Sequence, residues 1–320
     1  MHKSIAAILL LGVALCGPAQ AQSFPTKPIR LVVTYPAGGG ADLMARLVAP
    51  KMAETLGQPV VVENKGGASG TIAAAEVARA APDGYTLMLD AMNHAVNPSL
   101  YAKLPYDPAR AFSPIAVLAV FPNVMLVNAS FPAKDVRGVI AMAKDKPGTL
   151  AFASSGNGSA QHLAGELFRQ KAGVDITHIP YKGGGPALND VIGGQVPLFF
   201  GNMASSLPHV KSGKLRALAI TGGKRSAALP DAPTIAEAGL PGYEVYEWNA
   251  IFAPAGTPAP VIAKLAEAIA KATQSAEFRE RVTGLGGELT GYGPAEAERY
   301  VKQQTELWGA VVKAGGVKVE

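Results

Sequence analysis

Cysteine is almost missing from this 320-residue chain, because Cys16 is the only one. A positively charged start and an apolar run over residues 5–15 precede an A-x-A cleavage site that ends at Ala21. This pattern is typical of a secretory signal peptide, which we predict to be residues 1–21. Cleavage before Gln22 would also remove Cys16. A mature chain without a thiol has no disulfide, no catalytic thiol and no cysteine-ligated metal.

The chain also lacks a long hydrophobic run. The apolar run at residues 5–15 is shorter than the roughly 20 residues that a helix needs to span a bilayer. A lipid anchor on Cys16 would need a small residue directly before it, and Leu15 occupies that position. We therefore expect export to the periplasm, with cleavage before Gln22 and release from the membrane.

Charge is sparse and evenly spread. Charged residues make up 17% of the chain, and its net charge of +5 contains no basic run. This distribution favours neither nucleic acid nor an anionic membrane as a partner. A chain of this length usually forms about two domains.

Several enzyme signatures are missing as well. The sequence contains no Gly-Lys-Ser or Gly-Lys-Thr of a P-loop and no G-x-S-x-G of a hydrolase. The third small position of a dinucleotide-binding G-x-G-x-x-G would fall on Leu43, which is too large for it. The four histidines after the signal peptide have no metal-ligand spacing; they are His94, His162, His178 and His209. We predict neither an enzyme nor a bound cofactor or metal.

What the chain does contain is a strand, a glycine-rich turn and the start of a helix, three times over. The three segments are Ile29–Arg46, Leu150–Gly165 and Ile176–Leu188. Each would leave free backbone N–H groups at the positive end of a helix, which can bind an anion without a charged side chain. In the first segment we expect Asp42 to be the helix N-cap and Gly39 to have a positive φ. The alternative is that these glycines serve only the turns.

The hydrophobic pattern predicts two open α/β units joined by extended segments. We expect the first helix to run from Asp42 to about Leu56, with a kink or break caused by Pro50. Residues 93–114 are predicted to be irregular, and two amphipathic helices are predicted to end the chain. The predicted strands are Ile29–Tyr35, Val60–Glu63, Tyr85–Asp90, Thr149–Ala153, Asp175–Tyr181, Val196–Phe200 and Leu215–Thr221, and the extended segments between the units are Ile115–Val127 and Tyr243–Ala253.

With these residues in order, the chain resembles the Bug-type periplasmic solute-binding proteins of tripartite tricarboxylate transporters. The resemblance extends from Pro25 to about Gly316, and its motifs include KPIRLVVTYPAGGGAD, VVVENKGGASG, SSGNGSAQHLAGELF, HIPYKGGGPAL and FAPAGTP. It implies an α/β fold of the type 2 periplasmic binding protein class, with two α/β lobes joined by a two-segment hinge. We expect lobe 1 to comprise residues 22–125 and 249–320, and lobe 2 to comprise residues 126–248.

The resemblance further implies binding without catalysis. The ligand would be a small carboxylate (a di- or tricarboxylate, an acidic amino acid or an aromatic acid), captured by a monomer and delivered to the membrane permease subunits of the transporter. An alternative is a ligand-sensing co-receptor that uses the same fold and site to dock a membrane signalling protein.

The resemblance also implies which residues contact the ligand. Ala41 stands where many relatives carry a hydroxyl, so one donor is missing. Matched by position, the candidates in lobe 1 are Ala37, Gly38, Gly39, Ala41 and Asp42, those in lobe 2 are Ser154, Ser155, Gly156, Asn157, Ser159 and His162, and further candidates for the cleft walls are Asn93, Tyr181, Gly183, Asn202 and Trp248.

Overall fold

The fold alternates strands and helices along most of its length. The structure is a computed structural model and describes residues 24–317, so the predicted signal peptide and its cleavage site lie outside the described residues. The strands are β1 (Ile29–Val33), β2 (Val60–Asn64), β3 (Thr86–Ala91), β4 (Phe112–Asn128), β5 (Ala151–Ser154), β6 (Thr177–Pro180), β7 (Leu198–Asn202), β8 (Leu215–Ile220), β9 (Tyr246–Pro254) and β10 (Glu288–Tyr292). The helices are α1 (Gly40–Leu56), α2 (Thr71–Ala78), α3 (Asn93–Leu100), α4 (Val136–Asp145), α5 (Ala160–Ala172), α6 (Gly184–Ile192), α7 (Met203–Lys211), α8 (Ala259–Gln274), α9 (Ala276–Gly284) and α10 (Pro294–Gly315).

Two sheets share the long strand β4. The first sheet has the order β2-β1-β3-β9-β4-β10, with β1, β2 and β3 parallel to one another. The second has the order β6-β5-β7-β4-β8, with β5, β6 and β7 parallel. Strand β4 pairs with β9 up to Pro122 and with β7 from Asn123 onward. The predicted extended segment Ile115–Val127 is therefore confirmed as a strand that serves both sheets.

A second connection lies beside β4 at the point where it changes sheets. Thr221, just after β8, accepts a hydrogen bond from the Asn123 N–H and donates one to the Val245 carbonyl, both 2.7 Å long. The Thr221 N–H in turn donates to the Asn123 carbonyl. The chain that returns to the first sheet is thus bonded to β4 before β9 begins.

The helices cover both faces of each sheet. Helices α1 and α8 pack on one face of the first sheet, around Met44, Met52 and Leu265. The long helix α10 packs on α3 and also on α5, so one continuous core joins elements of both sheets. Among residues 24–317, no helix combines the length and the apolar character needed to cross a membrane.

Helix α1 corrects the predicted N-cap and has no break at Pro50, whereas the predicted kink stays a prediction. Its N-cap is Gly39, and Asp42 is the third residue of the helix rather than the cap. The helix continues through Pro50 without a break, because packing of its buried face outweighs the hydrogen bond that the proline removes. The predicted stop at Gly57 is confirmed, since Gly57 is a left-handed C-cap with φ 70°.

Three elements were missed by the hydrophobic pattern. Helix α3 lies in the stretch predicted to be irregular, and α9 and β10 lie between the two helices predicted to end the chain. The Asn97-Pro98 pair of α3 is typical of a turn. Val96 and Leu100 are nevertheless buried against α10, so tertiary packing decides the conformation of this segment.

The interior of α5 leaves no space for a side chain at Gly165. A β-carbon there would lie 2.1–2.5 Å from ring carbons of Phe152, which is fully buried. We expect Gly165→Ala to lower the free energy of unfolding by about 1–3 kcal/mol, the usual cost of overpacking a core. Urea denaturation measures the change. In Gly284→Ala, a control in α9 with open space around it, stability should stay equal or rise. Equal stability of the two variants would contradict this packing.

Candidate functional site

The three glycine-rich segments lie at the carboxyl ends of parallel strands, where open α/β folds bind ligands. Ser69, in the loop after β2, donates from Oγ to the Asn157 carbonyl over 3.5 Å. The Gly183 N–H donates to the Ser155 carbonyl over 3.2 Å. Loops of both sheets therefore contact each other directly.

In the first glycine-rich loop, between β1 and α1, one of the N–H groups already has a partner in the first turn of α1. The Gly38 N–H donates to Asp42 Oδ2 over 2.9 Å, and Arg46 forms an ion pair with the same carboxylate at 2.9 Å. Burial opposes ionisation, but these two partners outweigh it and lower the pKa of Asp42. The positive φ belongs to Gly38 at +85°, whereas Gly39 has φ −86°, so the predicted conformation of Gly39 was wrong. Ala37 is exposed, and Ala41 is buried in the core behind the loop.

The second glycine-rich loop, between β5 and α5, also has polar groups that are hydrogen-bonded within the protein. Ser159 is the N-cap of α5 and accepts from the His162 N–H over 3.2 Å. Ser154 Oγ and His178 Nε2 lie 2.6 Å apart, and Ser155 Oγ donates to Gln161 Oε1. The hydroxyl groups expected to bind the ligand thus have partners within the protein. Gly156 adopts φ +127°, and its carbonyl accepts from Ser159.

His162 is held in a buried pair of rings. It stacks on His178 with centroids 3.7 Å apart and an 8° angle, and its Nδ1 accepts from the Gly158 N–H. Burial, followed by the neighbouring His178 and Arg169, lowers the pKa of His162 to about 3, and burial lowers that of His178 to about 4. Both rings are therefore neutral near pH 7.

Glu247 occupies the point where the loops meet, and the sequence analysis missed it. Its Oε2 accepts from Asn202 Nδ2 at 2.8 Å and from Gln161 Nε2 at 3.3 Å. A β-carbon on Gly40 would lie 3.9 Å from its Oε1. The carboxylate thus accepts hydrogen bonds from side chains at the N-terminal ends of α5 and α7 and lies close to the N-terminal end of α1. Burial raises the pKa of Glu247, and the two amides oppose that rise.

Strand alternation explains why Glu247, rather than Trp248, faces the loops. Trp248 points to the opposite face of β9, where it is fully buried and packs edge-on against Tyr300. Its role as a ligand contact stays a prediction. Glu247 is the only Asp, Glu, Lys, Arg or His within β9 (Tyr246–Pro254), which could have drawn attention to it, but its partners at positions 161 and 202 lie far away in the sequence.

The remaining candidates surround these loops. Asn93 donates its side-chain amide to the Ser69 carbonyl, and Tyr181 donates its hydroxyl to Asp190 on α6. Gly183 is the N-cap of α6, with φ +110°. In the part of the chain that the structure describes, no three His, Cys, Asp or Glu side chains form a group that could hold a metal ion.

Comparison with known proteins places this geometry in a family. Residues 44–317 match the family described as "Tripartite tricarboxylate transporter family receptor". The chain is 36% identical over 319 residues to Protein BugT of Bordetella pertussis, with 99% of this chain and 98% of BugT covered.

Solved structures agree with this assignment. Rpa4515 of R. palustris, solved with adipate, has a TM-score of 0.86 and 38% identity, and the match covers 92% of this chain and all of that one. MatC from Rhodopseudomonas palustris, solved with bound malate, has a TM-score of 0.82 and 37% identity over 90% of this chain and all of MatC. The periplasmic binding protein BugD has a TM-score of 0.83 and 38% identity, again with 92% and 100% coverage. These neighbours confirm the predicted type 2 binding-protein fold.

The family and its fold neighbours are binding proteins rather than enzymes, which confirms the prediction that this chain is not an enzyme. The chain belongs to the tripartite tricarboxylate transporter receptor family and is a periplasmic solute-binding receptor of the TctC or Bug type.

Proposed function

We propose that the protein captures a small carboxylate between two lobes and delivers it to the membrane permease subunits of a tripartite tricarboxylate transporter. Lobe 1 comprises residues 22–125 and 249–320, and lobe 2 comprises residues 126–248. The ligand is a di- or tricarboxylate, an acidic amino acid or an aromatic acid. The mature chain acts as a monomer in the periplasm after cleavage before Gln22.

The observation that supports this proposal is the meeting of three helix N-termini around one carboxylate, that of Glu247. The N-terminal turn of a helix carries unpaired N–H groups and about half a positive charge, so it attracts anions. With α1 contributed by lobe 1 and α5 and α7 by lobe 2, a ligand bound beside Glu247, with its carboxylate on the N–H groups of the adjoining glycine-rich loops, would hold the lobes together. The neighbours solved with adipate and malate support the same ligand chemistry.

A melting-temperature screen of the purified protein against di-, tri- and aromatic carboxylates and acidic amino acids tests the proposal. A ligand at 100 times its dissociation constant should stabilise the folded protein by about 2.7 kcal/mol, which raises the melting temperature by several degrees. A flat response to every acid in the screen would contradict carboxylate capture.

A matched pair of variants locates the binding site. Gly39→Val keeps an allowed backbone conformation, because Gly39 has φ −86° and nothing closer to an added β-carbon than the Pro36 carbonyl at 3.7 Å. Its branched side chain should block the N-terminus of α1 and remove the stabilisation by ligand. Gly284→Ala, outside these loops, should retain the stabilisation. Deleting the gene and measuring uptake of the identified acid then tests the transporter role.

A further inference from the structure

Glu247 makes one end of the proposed ligand site an acceptor rather than a donor. The side-chain amides of Gln161 and Asn202 each donate one hydrogen bond to its Oε2, so those two N–H groups are already in use. Its Oε1 has no hydrogen-bond partner within residues 24–317 and points toward the N-terminus of α1. A plain carboxylate placed beside Oε1 would bring two negative oxygens together.

The same carboxylate lacks a cation. Across residues 24–317, no Lys, Arg or His nitrogen lies within 4.0 Å of the Glu247 oxygens. Glu247 also acts on the nearby hydroxyl of Tyr35, whose pKa is raised by burial and then by the charges of Asp90 and Glu247. An ionised carboxylate in a partly buried site is stable only when hydrogen bonds or an opposite charge offset its lost hydration.

We infer that Glu247 selects a ligand that carries an ammonium or amide N–H group in addition to its carboxylate. This inference rests on the proposed function and specifies its ligand. The carboxylate of the ligand binds free N–H groups in the glycine-rich loops, and its N–H group donates to Oε1 of Glu247. An amino acid or an acid amide fits this pair of contacts better than an unsubstituted dicarboxylate does.

Matched ligand pairs measure this preference by calorimetry on the full mature chain. Each pair keeps the carbon skeleton and adds one amino group: succinate and aspartate, glutarate and glutamate, adipate and 2-aminoadipate, 3-phenylpropanoate and phenylalanine. In whichever pair binds, the amino acid should bind at least about tenfold more tightly, since a hydrogen bond to a charged group has about that effect.

Glu247→Gln should reverse the preference. Its amide oxygen can still accept from Gln161 and Asn202, so its NH₂ group replaces Oε1 and becomes a donor. The amino acid should then lose at least about tenfold in affinity, and the unsubstituted acid should gain. Glu244→Gln, an exposed site three residues earlier on the chain, is the charge-matched control and should leave both affinities unchanged. Melting curves without ligand show whether each variant is folded.

The outcomes separate the inference from the proposed function. If the unsubstituted acids bind wild type as tightly as the amino acids, or if Glu247→Gln leaves the ratio unchanged, the inference is wrong and carboxylate capture stands. Tight binding of an unsubstituted acid that is kept in Glu247→Gln would mean that Glu247 is protonated and donates a hydrogen bond to the ligand, which also overturns it. If no acid in this panel or in the melting-temperature screen binds wild type or Glu247→Gln, the proposed function fails as well.

Discussion

Lowering the pH from 7.5 to 5 should reduce the free energy of unfolding by about 2 kcal/mol for each of the two stacked histidines, at 1.36 kcal/mol per unit of pKa difference. The folded-state pKa is about 3 for His162 and about 4 for His178, below the ordinary value of 6.5. Above pH 6.5 both rings are neutral in the folded and unfolded states, so their contribution is constant. As the pH falls below 6.5, only the unfolded chain takes up protons, and the folded state loses stability until the pH reaches the folded-state values.

Urea denaturation between pH 7.5 and 5 measures this slope, and neutral variants assign it. His162→Asn retains an acceptor for the Gly158 N–H, and His178→Gln retains a partner for Ser154. Each single variant should remove about half of the decrease in the free energy of unfolding that the pair causes between pH 7.5 and 5. The double variant should remove nearly all of that decrease. His209→Gln, near the end of α7 and outside the stacked pair, should leave the slope unchanged. An unaltered slope in the double variant would refute the assignment.

Gly158→Ala should weaken ligand binding at least about tenfold, or roughly 1.4 kcal/mol. A β-carbon at Gly158 would lie 2.4 Å from Leu100 Cδ1 on α3, so either the end of the Leu100 side chain or the loop that carries Gly158 must shift. The carboxylate that raises the melting temperature most is the ligand for this calorimetric measurement.

The backbone strain of Gly158→Ala needs its own control. Gly158 has φ +76°, and an alanine in that conformation costs about 1–2 kcal/mol by itself. Gly213, in the turn before β8, has φ +73° and open space where a β-carbon would be. Gly213→Ala should therefore lose similar stability but keep its affinity for ligand. Equal affinities of the two variants would show that the contact with Leu100 has no influence on binding.

Local signals predicted much of the fold. A β-branched run followed by glycines predicted β1 and a helix directly after the glycines, because both depend on neighbours within a few residues. Asp42 failed as a cap for a similar local reason: glycine can occupy the N-cap itself, and the aspartate then reaches back to the Gly38 N–H from the first turn. Helix α3 depends instead on α10, almost 200 residues later, so its Asn-Pro pair misled the prediction.

The candidate site also has one part that the sequence could predict and one part that it could not. The glycine-rich loops could be found because their function lies in consecutive backbone groups. Glu247 could not, because its partners are on α1, α5 and α7 and only the two sheets bring them together. Whether Glu247 or Trp248 faces the loops depends on which face of β9 each side chain occupies. A shift of one residue in the register of β9 would exchange the two faces.

Glu247 lies close to both chain segments that connect the two sheets, strand β4 and the segment that returns to β9. It is paired with Phe121 on β4, next to the point where Thr221 binds Asn123 and Val245. When two bodies rotate about an axis, an atom moves in proportion to its lever arm from that axis. Glu247 sits beside the axis, so it would stay nearly still while the outer loops, on longer arms, travel toward or away from it. If the two lobes close on a ligand as proposed, the Glu247 carboxylate would keep its position, and the length of the ligand would set how closely the outer loops approach it.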